Sequence, residues 1–486
     1  MRAGRLMISA AGSGCGKSVV TMGLLQALKE RGIRLQSFKC GPDYIDPGFH
    51  TRVLGIGCRN LDTYLMGEEE TKEEADQAER SGLLAVAEGA MGLFDGLGGD
   101  LPHSAYYIAS VCEMPVLVVL DAEREEGCDR QLQRLLEKDT QRRIRAVLIN
   151  RCRQENYPAI LQTLRQVMDL ADPAGAHGTF TQGGISLIGY LPPMPEARFP
   201  SRHLGLEEAR EAEDFAGRMH RIAVRLEEAG CVGAVLQLMK GQPPACAAMK
   251  EDGISRREDG RKSRSLFPEA LDCRSCRIAV ARDEAFSFLY QRSLDNLEQA
   301  GAKLCFFSPL HDASLPDGTD GLYLPGGYPE LHAAALEENR SMRRAVRQAV
   351  QSRMPTVAEC GGFLYLGERL SGEDGHLYEM VHALPGNARR KERLVRFGYL
   401  ELIQDKGDSL LFREKEQIPA HEFHYWDSDC CGEDLAAQKR SKGQSWRCGY
   451  AGPNLYAAFP HLYLNRVRAQ RFADAARSWR RKTNDT

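Results

Sequence analysis

A chain of 486 residues has room for two or three domains, and a formal net charge of −3 argues against organisation around nucleic acid or an acidic membrane surface. No apolar run approaches the roughly 20 residues of a membrane span, and no signal-like apolar core precedes the first motif. A cytoplasmic chain with no membrane or nucleic-acid partner is therefore expected. The 15 cysteines are odd in number and scattered over both halves, which reads as reduced thiols rather than a disulfide framework.

The first element is a short apolar strand at Leu6-Met7-Ile8, and it runs into Ala10-Ala11-Gly12-Ser13-Gly14-Cys15-Gly16-Lys17-Ser18. A strand, a glycine-rich turn and Gly-Lys-Ser opening a helix have the form of a phosphate-binding loop, although the usual pattern has Gly where this chain has Ala11. Small residues such as Gly14 and Gly16 let the backbone approach a polyphosphate, with N–H groups of the helix N-terminus aimed at its charge. Lys17 is then expected on the β- and γ-phosphates of ATP, and the Ser18 hydroxyl on Mg²⁺.

A second strand, Leu35 to Cys40, leads into Gly41-Pro42-Asp43-Tyr44-Ile45-Asp46-Pro47-Gly48-Phe49-His50. Glycine and proline make this a loop at a strand end, where open α/β sheets place their ligands. Asp43, Tyr44, Asp46 and His50 are candidates for substrate contact there, with aspartates that cap a turn as the alternative. The next strand, Leu83 to Ala87, ends at Glu88, and an acidic residue at that position beside a phosphate loop suits Mg²⁺. Val116 to Leu120 and Ala146 to Ile149 read as central parallel strands, being continuous Val/Ile/Leu runs. Asn150 follows the second and reads either as a contact to a nucleotide base or as a cap. Ile185 to Tyr190 closes the series, and the spacing of Leu206, Phe215, Met219, Ile222 and Leu226 predicts a core-packed helix. Between Lys250 and Ser265 the composition turns polar and charged. This divides the chain into an ATP-binding domain at 1–250, a linker at 251–276 and a second domain at 277–486.

A second α/β series, again implying a mostly parallel sheet, begins at Ile278-Ala279-Val280 and continues at Lys303 to Phe307, Gly321 to Leu324 and Thr356-Val357-Ala358. Glu359-Cys360-Gly361-Gly362 after the last strand has the form of a nucleophile elbow, whose sharp turn exposes a thiol and whose helix N-terminus favours the thiolate. Backbone N–H groups of Gly326, Gly327 and Gly361 are expected to hold an oxyanion, and His461 to act as general base. Tyr463 occupies the position two residues after His461, which leaves the third member of the site open. Two metal readings fail on spacing. Cys273-x-x-Cys276 with Cys430-Cys431 does not match a familiar zinc module, and His421-Glu422-Phe423-His424 lacks the i, i+4 histidines of a zinc protease helix.

With these residues in view the chain resembles the cobyrinic acid a,c-diamide synthase family, glutamine-dependent amidotransferases of corrin-ring biosynthesis. The resemblance is carried by the phosphate loop, the run from Gly41 to His50, Asn60-Leu61-Asp62-Thr63, Glu88 to Gly96, Pro200 to Leu206, and the Glu-Cys-Gly-Gly elbow. It extends to His421-Glu422-Phe423-His424-Tyr425, where Ala420 replaces the family's glycine. It implies an α/β architecture of a dethiobiotin-synthetase-like ATP domain followed by a class I glutaminase domain using Cys360 and His461. It also implies ATP and Mg²⁺, with L-glutamine and a corrinoid macrocycle as small-molecule substrates, and it leaves room for a homodimer. Lys17 and Ser18 fall to phosphate and Mg²⁺, Glu88 to Mg²⁺, Asp43 or Asp46 to Mg²⁺ or the macrocycle, and Tyr44 and His50 to the macrocycle. Nickel-sirohydrochlorin and hydrogenobyrinic acid a,c-diamide synthases share the motifs, and cobyric acid synthase is a more distant relative. A different class, a partitioning-type ATPase switch carrying an inert glutaminase-like module, requires the phosphate loop alone.

Overall fold

The computed structural model describes residues 4–44, 47–48, 50–99, 101–171, 184–194, 209–240, 275–439 and 443–484. Asp46, Cys273, the run Pro200 to Leu206 and the polar stretch from Lys250 to Ser265 lie outside the described residues.

In the N-terminal half the strands β1 (Arg5–Ala10), β2 (Leu35–Cys40), β3 (Cys58–Leu61), β4 (Leu84–Glu88), β5 (Val116–Asp121), β6 (Ile144–Asn150) and β7 (Ser186–Tyr190) form one sheet. Its order is β3-β2-β4-β1-β5-β6-β7, and every pairing is parallel. Side chains of successive strand residues point to opposite faces, so a strand covered on both sides must be apolar throughout. Leu6 and Ile8 accordingly join one core, under the helices Lys17–Glu30 and Ala209–Glu228, while Met7 joins the other, under Ala105–Val111 and Gly127–Lys138. Met219, Ile222 and Leu226 are buried in the first core, as the helical spacing predicts. The strand β3 escapes a reading for apolar runs because Cys58-Arg59-Asn60-Leu61 is a short edge strand paired on one side only.

Parallel strands end on one edge of their sheet. The turn after β1, the loop after β2, Glu88 at the end of β4 and Asn150 at the end of β6 therefore share a rim, the usual ligand edge of an open α/β sheet.

The C-terminal half begins with β8 (Cys276–Ala281), β9 (Phe286–Phe288), β10 (Ala302–Phe307), β11 (Gly321–Leu324), β12 (Gly326–Gly327) and β13 (Thr356–Glu359). It continues with β14 (Arg369–Ser371), β15 (Leu377–Glu379), β16 (Asn387–Arg390), β17 (Arg396–Gln404), β18 (Gln417–His424) and β19 (Trp426–Ser428). It ends with β20 (Leu435–Lys439), β21 (Gln444–Cys448), β22 (Tyr450–Gly452), β23 (Leu455–Ala458), β24 (His461–Leu462) and the helix Arg466–Asn484. The central sheet runs β10-β8-β11-β13-β23-β22 and is parallel except for the β22–β23 pair, in line with a mostly parallel sheet. An antiparallel sheet of order β21-β20-β17-β18-β24 and a four-stranded sheet of order β15-β14-β16-β19 have no counterpart in the sequence reading. These strands lack continuous apolar runs, as where Leu400 and Leu402 of β17 reach the core on alternate positions and β18 buries His421 and Glu422 beside Ala420.

The two halves meet through an aromatic core in which Leu65, Met66, Tyr44 and Tyr64 pack with Tyr290, Tyr399 and Tyr463. Polar contacts ring it. The Tyr399 hydroxyl donates to Asp62 Oδ2 at 2.9 Å, the Tyr64 hydroxyl to Leu400 O at 3.2 Å, and Arg292 to Glu73 at 2.8 Å. Arg59 joins Glu74 of its own half to Asp295 of the other.

Candidate active site

The turn after β1 is a cradle of backbone. Gly14 and Gly16 sit at φ 80° and 87°, left-handed values that favour glycine, and a Cβ on Gly16 would lie 2.1 Å from Asn150 Nδ2. The helix Lys17–Glu30 that follows has no side-chain cap, which leaves its first N–H groups directed toward the turn. Asn150 donates to Cys15 O at 3.0 Å, and Arg124 and Arg151 donate to Ser13 O and Gly14 O. Asn150 thus braces the loop from behind, a use of its amide that the reading as a base contact or a cap does not include. Lys17 is buried and donates to Gly12 O at 2.9 Å, and burial pulls its ammonium below the usual lysine range, with the Glu88 charge opposing.

Glu88 is fully buried, and its Oε1 accepts from Ser18 Oγ at 2.5 Å and from Lys39 Nζ at 2.7 Å. Its Oε2 has no hydrogen-bond partner among the described residues. A buried carboxylate oxygen left unpaired is costly, and one lying beside a serine hydroxyl at a phosphate loop has the donor chemistry of a Mg²⁺ site. The residues present therefore fit both a nucleotide phosphate and the metal. Lys39 is absent from the sequence reading, although a charged residue inside the otherwise buried strand β2 is a legible sign of a partner.

The loop after β2 is held to β3 by Asn60, whose amide donates to Gly41 O at 3.1 Å and Asp43 O at 2.7 Å. Asp43 lies 3.9 Å from Lys39 Nζ. Tyr44 points across the domain contact: its ring lies 5.2 Å from Phe288, 4.8 Å from Tyr290 and 5.0 Å from His461 between centroids. Burial, with Tyr290 and Glu359 nearby, pushes its hydroxyl well above the usual tyrosine range. His50 is buried with Nδ1 at 3.1 Å from Ser37 Oγ, so this ring packs against β2. Asp62, behind the loop, accepts from Tyr64 N and Leu65 N at 2.9 and 3.0 Å, and burial raises its carboxyl to about 6.

In the second half, Cys360 adopts φ 46° and ψ −103° at the start of the short helix Gly361–Leu366. A non-glycine residue there is strained, and such strain gathers at functional turns. The thiol is buried, and burial followed by Glu330 and Glu422 pushes it above the usual cysteine range. Gly326 and Gly327 form β12 against β9, and Gly361 approaches them, since a Cβ on Gly361 would lie 3.0 Å from Gly327 N. His461, on β24, packs on Gly326 so closely that a Cβ there would lie 2.3 Å from His461 Cε1. The three glycines expected at the oxyanion and the imidazole are thus gathered from three separate segments. His461 is 2% exposed, and burial, with His421 and His424 adding, lowers it to about 3. His421 and His424 lie on the strand β18, where His421 pairs in register with His461. Burial lowers His421 to about 4.

The sequence reading leaves the acidic neighbour of His461 open. In the structure Glu359, the residue before Cys360, places Oε2 at 4.0 Å from His461 Nδ1.

Residues 277–468 match the CobB/CobQ-like glutamine amidotransferase domain, and residues 6–204 match the CobQ/CobB/MinD/ParA nucleotide binding domain. The cobyrinate a,c-diamide synthase of Caldanaerobacter subterraneus subsp. tengcongensis is 33% identical over 98% of this chain and 99% of that protein. The protein of the same name from Salmonella typhimurium is 34% identical over 94% of each chain. The solved MinD cell division protein of Aquifex aeolicus is similar over 50% of this chain and 100% of its own, at 14% identity and TM-score 0.32.

Proposed function

The chain belongs to the cobyrinate a,c-diamide synthase family, and on that footing we propose that it amidates the a and c carboxylates of cobyrinic acid with ATP and glutamine. It is a glutamine-dependent ligase of cobalamin biosynthesis with a nucleotide-binding domain and a glutamine amidotransferase domain. The reading divides the chain into an ATP-binding domain at 1–250, a linker at 251–276 and a glutaminase domain at 277–486, working in the cytoplasm.

A carboxylate is a poor acyl donor to ammonia, so its oxygen must first become a leaving group. In this reading phosphoryl transfer from ATP converts it to an acyl phosphate at the rim of the first sheet. The backbone around Gly14 and Gly16 and the Lys17 ammonium hold the phosphates, while Ser18 and Glu88 would hold Mg²⁺, which supplies positive charge against the transferring phosphoryl oxygens. Asp43, Tyr44, Asp46 and His50 are carried as substrate-loop residues, with Asn150 bracing the nucleotide site. In the second domain the Cys360 sulfur attacks the glutamine amide carbon, with its proton taken by His461. Backbone N–H groups of Gly326, Gly327 and Gly361 receive the carbonyl oxygen as it gains charge. His461 returns the proton to the leaving nitrogen, ammonia departs, and water cleaves the thioester to glutamate.

The observation that carries this reading is Tyr44. The loop that follows the strand beside Glu88 carries a ring to 5.0 Å from His461, so one segment adjoins both chemistries. Intact features on both sides of that contact speak against a nucleotide switch with a retired glutaminase.

The test is product mass after incubation with ATP, Mg²⁺, glutamine and cobyrinic acid. Two carboxyl-to-amide conversions support the reading. Conversion of nickel-sirohydrochlorin or hydrogenobyrinic acid, with cobyrinic acid untouched, replaces the macrocycle and keeps the chemistry. ATP hydrolysis with no amidation of any of the three overturns it.

A further inference from the structure

A histidine that takes a proton at Nε2 must carry its resting proton on Nδ1, and a buried N–H left without an acceptor is costly. His461 Nδ1 is buried and has no hydrogen-bond partner among the described residues. The position two residues on cannot serve, because the Tyr463 hydroxyl donates to Glu70 Oε2 at 2.5 Å across the domain contact. Glu422, on the neighbouring strand, has Oε1 at 2.9 Å from His424 Nε2.

Glu359 is placed differently. It is 2% exposed, its Oε1 accepts from Leu462 N at 2.8 Å, and its Oε2 accepts from the Tyr323 hydroxyl at 3.1 Å. The first bond ties the carboxylate to the residue after His461, so the acid and the imidazole share one strand as a frame. Its Oε2 is 4.0 Å from His461 Nδ1, outside hydrogen-bond reach but within that of an ion pair, and such catalytic bonds tighten when substrate is bound.

We propose that Glu359 is the positioning carboxylate of the glutaminase site, orienting His461 through Nδ1 and offsetting the imidazolium charge formed when the Cys360 proton is taken. This rests on the reading of Cys360 and His461 as nucleophile and base. Burial, against the bonds from Leu462 and Tyr323, pushes Glu359 up to about 8, and burial with His421 and His424 adding brings His461 down to about 3, so each charge is expensive by itself and the two offset each other as a pair. No net proton is consumed: the thiol proton passes to His461 Nε2 as the C–S bond forms, then to the departing nitrogen as the C–N bond breaks. The Nδ1 proton stays on His461 throughout, directed at Glu359. The elbow thus supplies two functions from adjacent residues, the thiol to the substrate and the carboxylate to the base.

The experiment is steady-state glutamine hydrolysis by the full chain. Glu359→Gln keeps the shape and removes the charge, and is expected to lower kcat on the order of 10²-fold with the glutamine KM within about 3-fold. A kcat within about 3-fold of the unaltered chain overturns the proposal. ¹⁵N-histidine NMR of the unaltered chain keeps the test open if the variant does not fold: the Nδ1–H tautomer of His461 supports the proposal, and the Nε2–H tautomer overturns it. Cys360→Ser is the companion. If it still hydrolyses glutamine, the thiol reading fails; if it is inactive while Glu359→Gln is normal, Glu359 alone fails.

Discussion

The phosphate loop and the thiol site are built on similar parallel sheets in opposite ways. Around the first, nine consecutive residues from Ala10 to Ser18 form a backbone cradle, and one carboxylate, Glu88, ties Ser18 to Lys39. Around the second, the glycines after β11, the elbow after β13 and the imidazole on β24 come from segments about 35 to about 135 residues apart, and strand register brings them together. The difference teaches where damage should spread. A local cradle is broken by changing its own residues, whereas a gathered site depends also on whatever sets the register and on the loop from the other domain that covers it.

The largest expected effect separates the two regions outright. Cys360→Ala should lower glutamine-dependent synthesis on the order of 10⁴-fold or more, while synthesis fed by free ammonia persists, because only the nitrogen source is removed. Equal loss with both nitrogen sources would end the division of labour. Glu88→Gln comes next: removing the charge that faces Ser18 and Lys39 should cost about 10²–10³-fold with either nitrogen source. Normal ATP-dependent turnover by that variant would take Glu88 out of the activation site.

Tyr44→Ala probes the seam between the regions. Its ring stacks on Phe288 and lies by His461, so its loss should open the contact and raise the glutamine consumed per amide formed several-fold, measured as glutamate released against product. Unchanged stoichiometry would sever the loop from the thiol site.

The smallest effect is a slope with pH. Burial first, against bonds from Leu65, Tyr399 and Tyr64, raises Asp62 to about 6 from an unfolded value near 3.8. Between those values the folded chain holds the proton more firmly than the unfolded one, so this group's contribution to stability falls as pH rises through the window. Asp62→Asn removes the titration. Its Tm relative to the unaltered chain should therefore climb from pH 4 to pH 6, and a flat difference would contradict the burial argument.

Some of this was legible because short-range chemistry announces itself. Gly14, Gly16, Lys17 and Ser18 stand in one motif, Glu88 ends an apolar strand, and Cys360 sits between an apolar strand and two glycines. Other residues carried weaker signs. Lys39 is a charge in a buried strand, and Asn60 and Asp62 belong to a motif that holds the loop after β2 and meets Tyr399. The antiparallel sheets and the short edge strand β3 escaped because their strands carry no continuous apolar run.

By itself, the sequence determined the two α/β halves, the phosphate cradle, the acidic strand end and the Glu-Cys-Gly-Gly turn. These follow from backbone conformation and from burial on both faces of a strand, which are properties of neighbouring residues. Only the tertiary structure decided that Tyr44 crosses to His461, that Asn150 braces the loop, and that Glu359 faces Nδ1. Those contacts depend on strand order and register between segments far apart in the chain, and no local spacing encodes the distance between them.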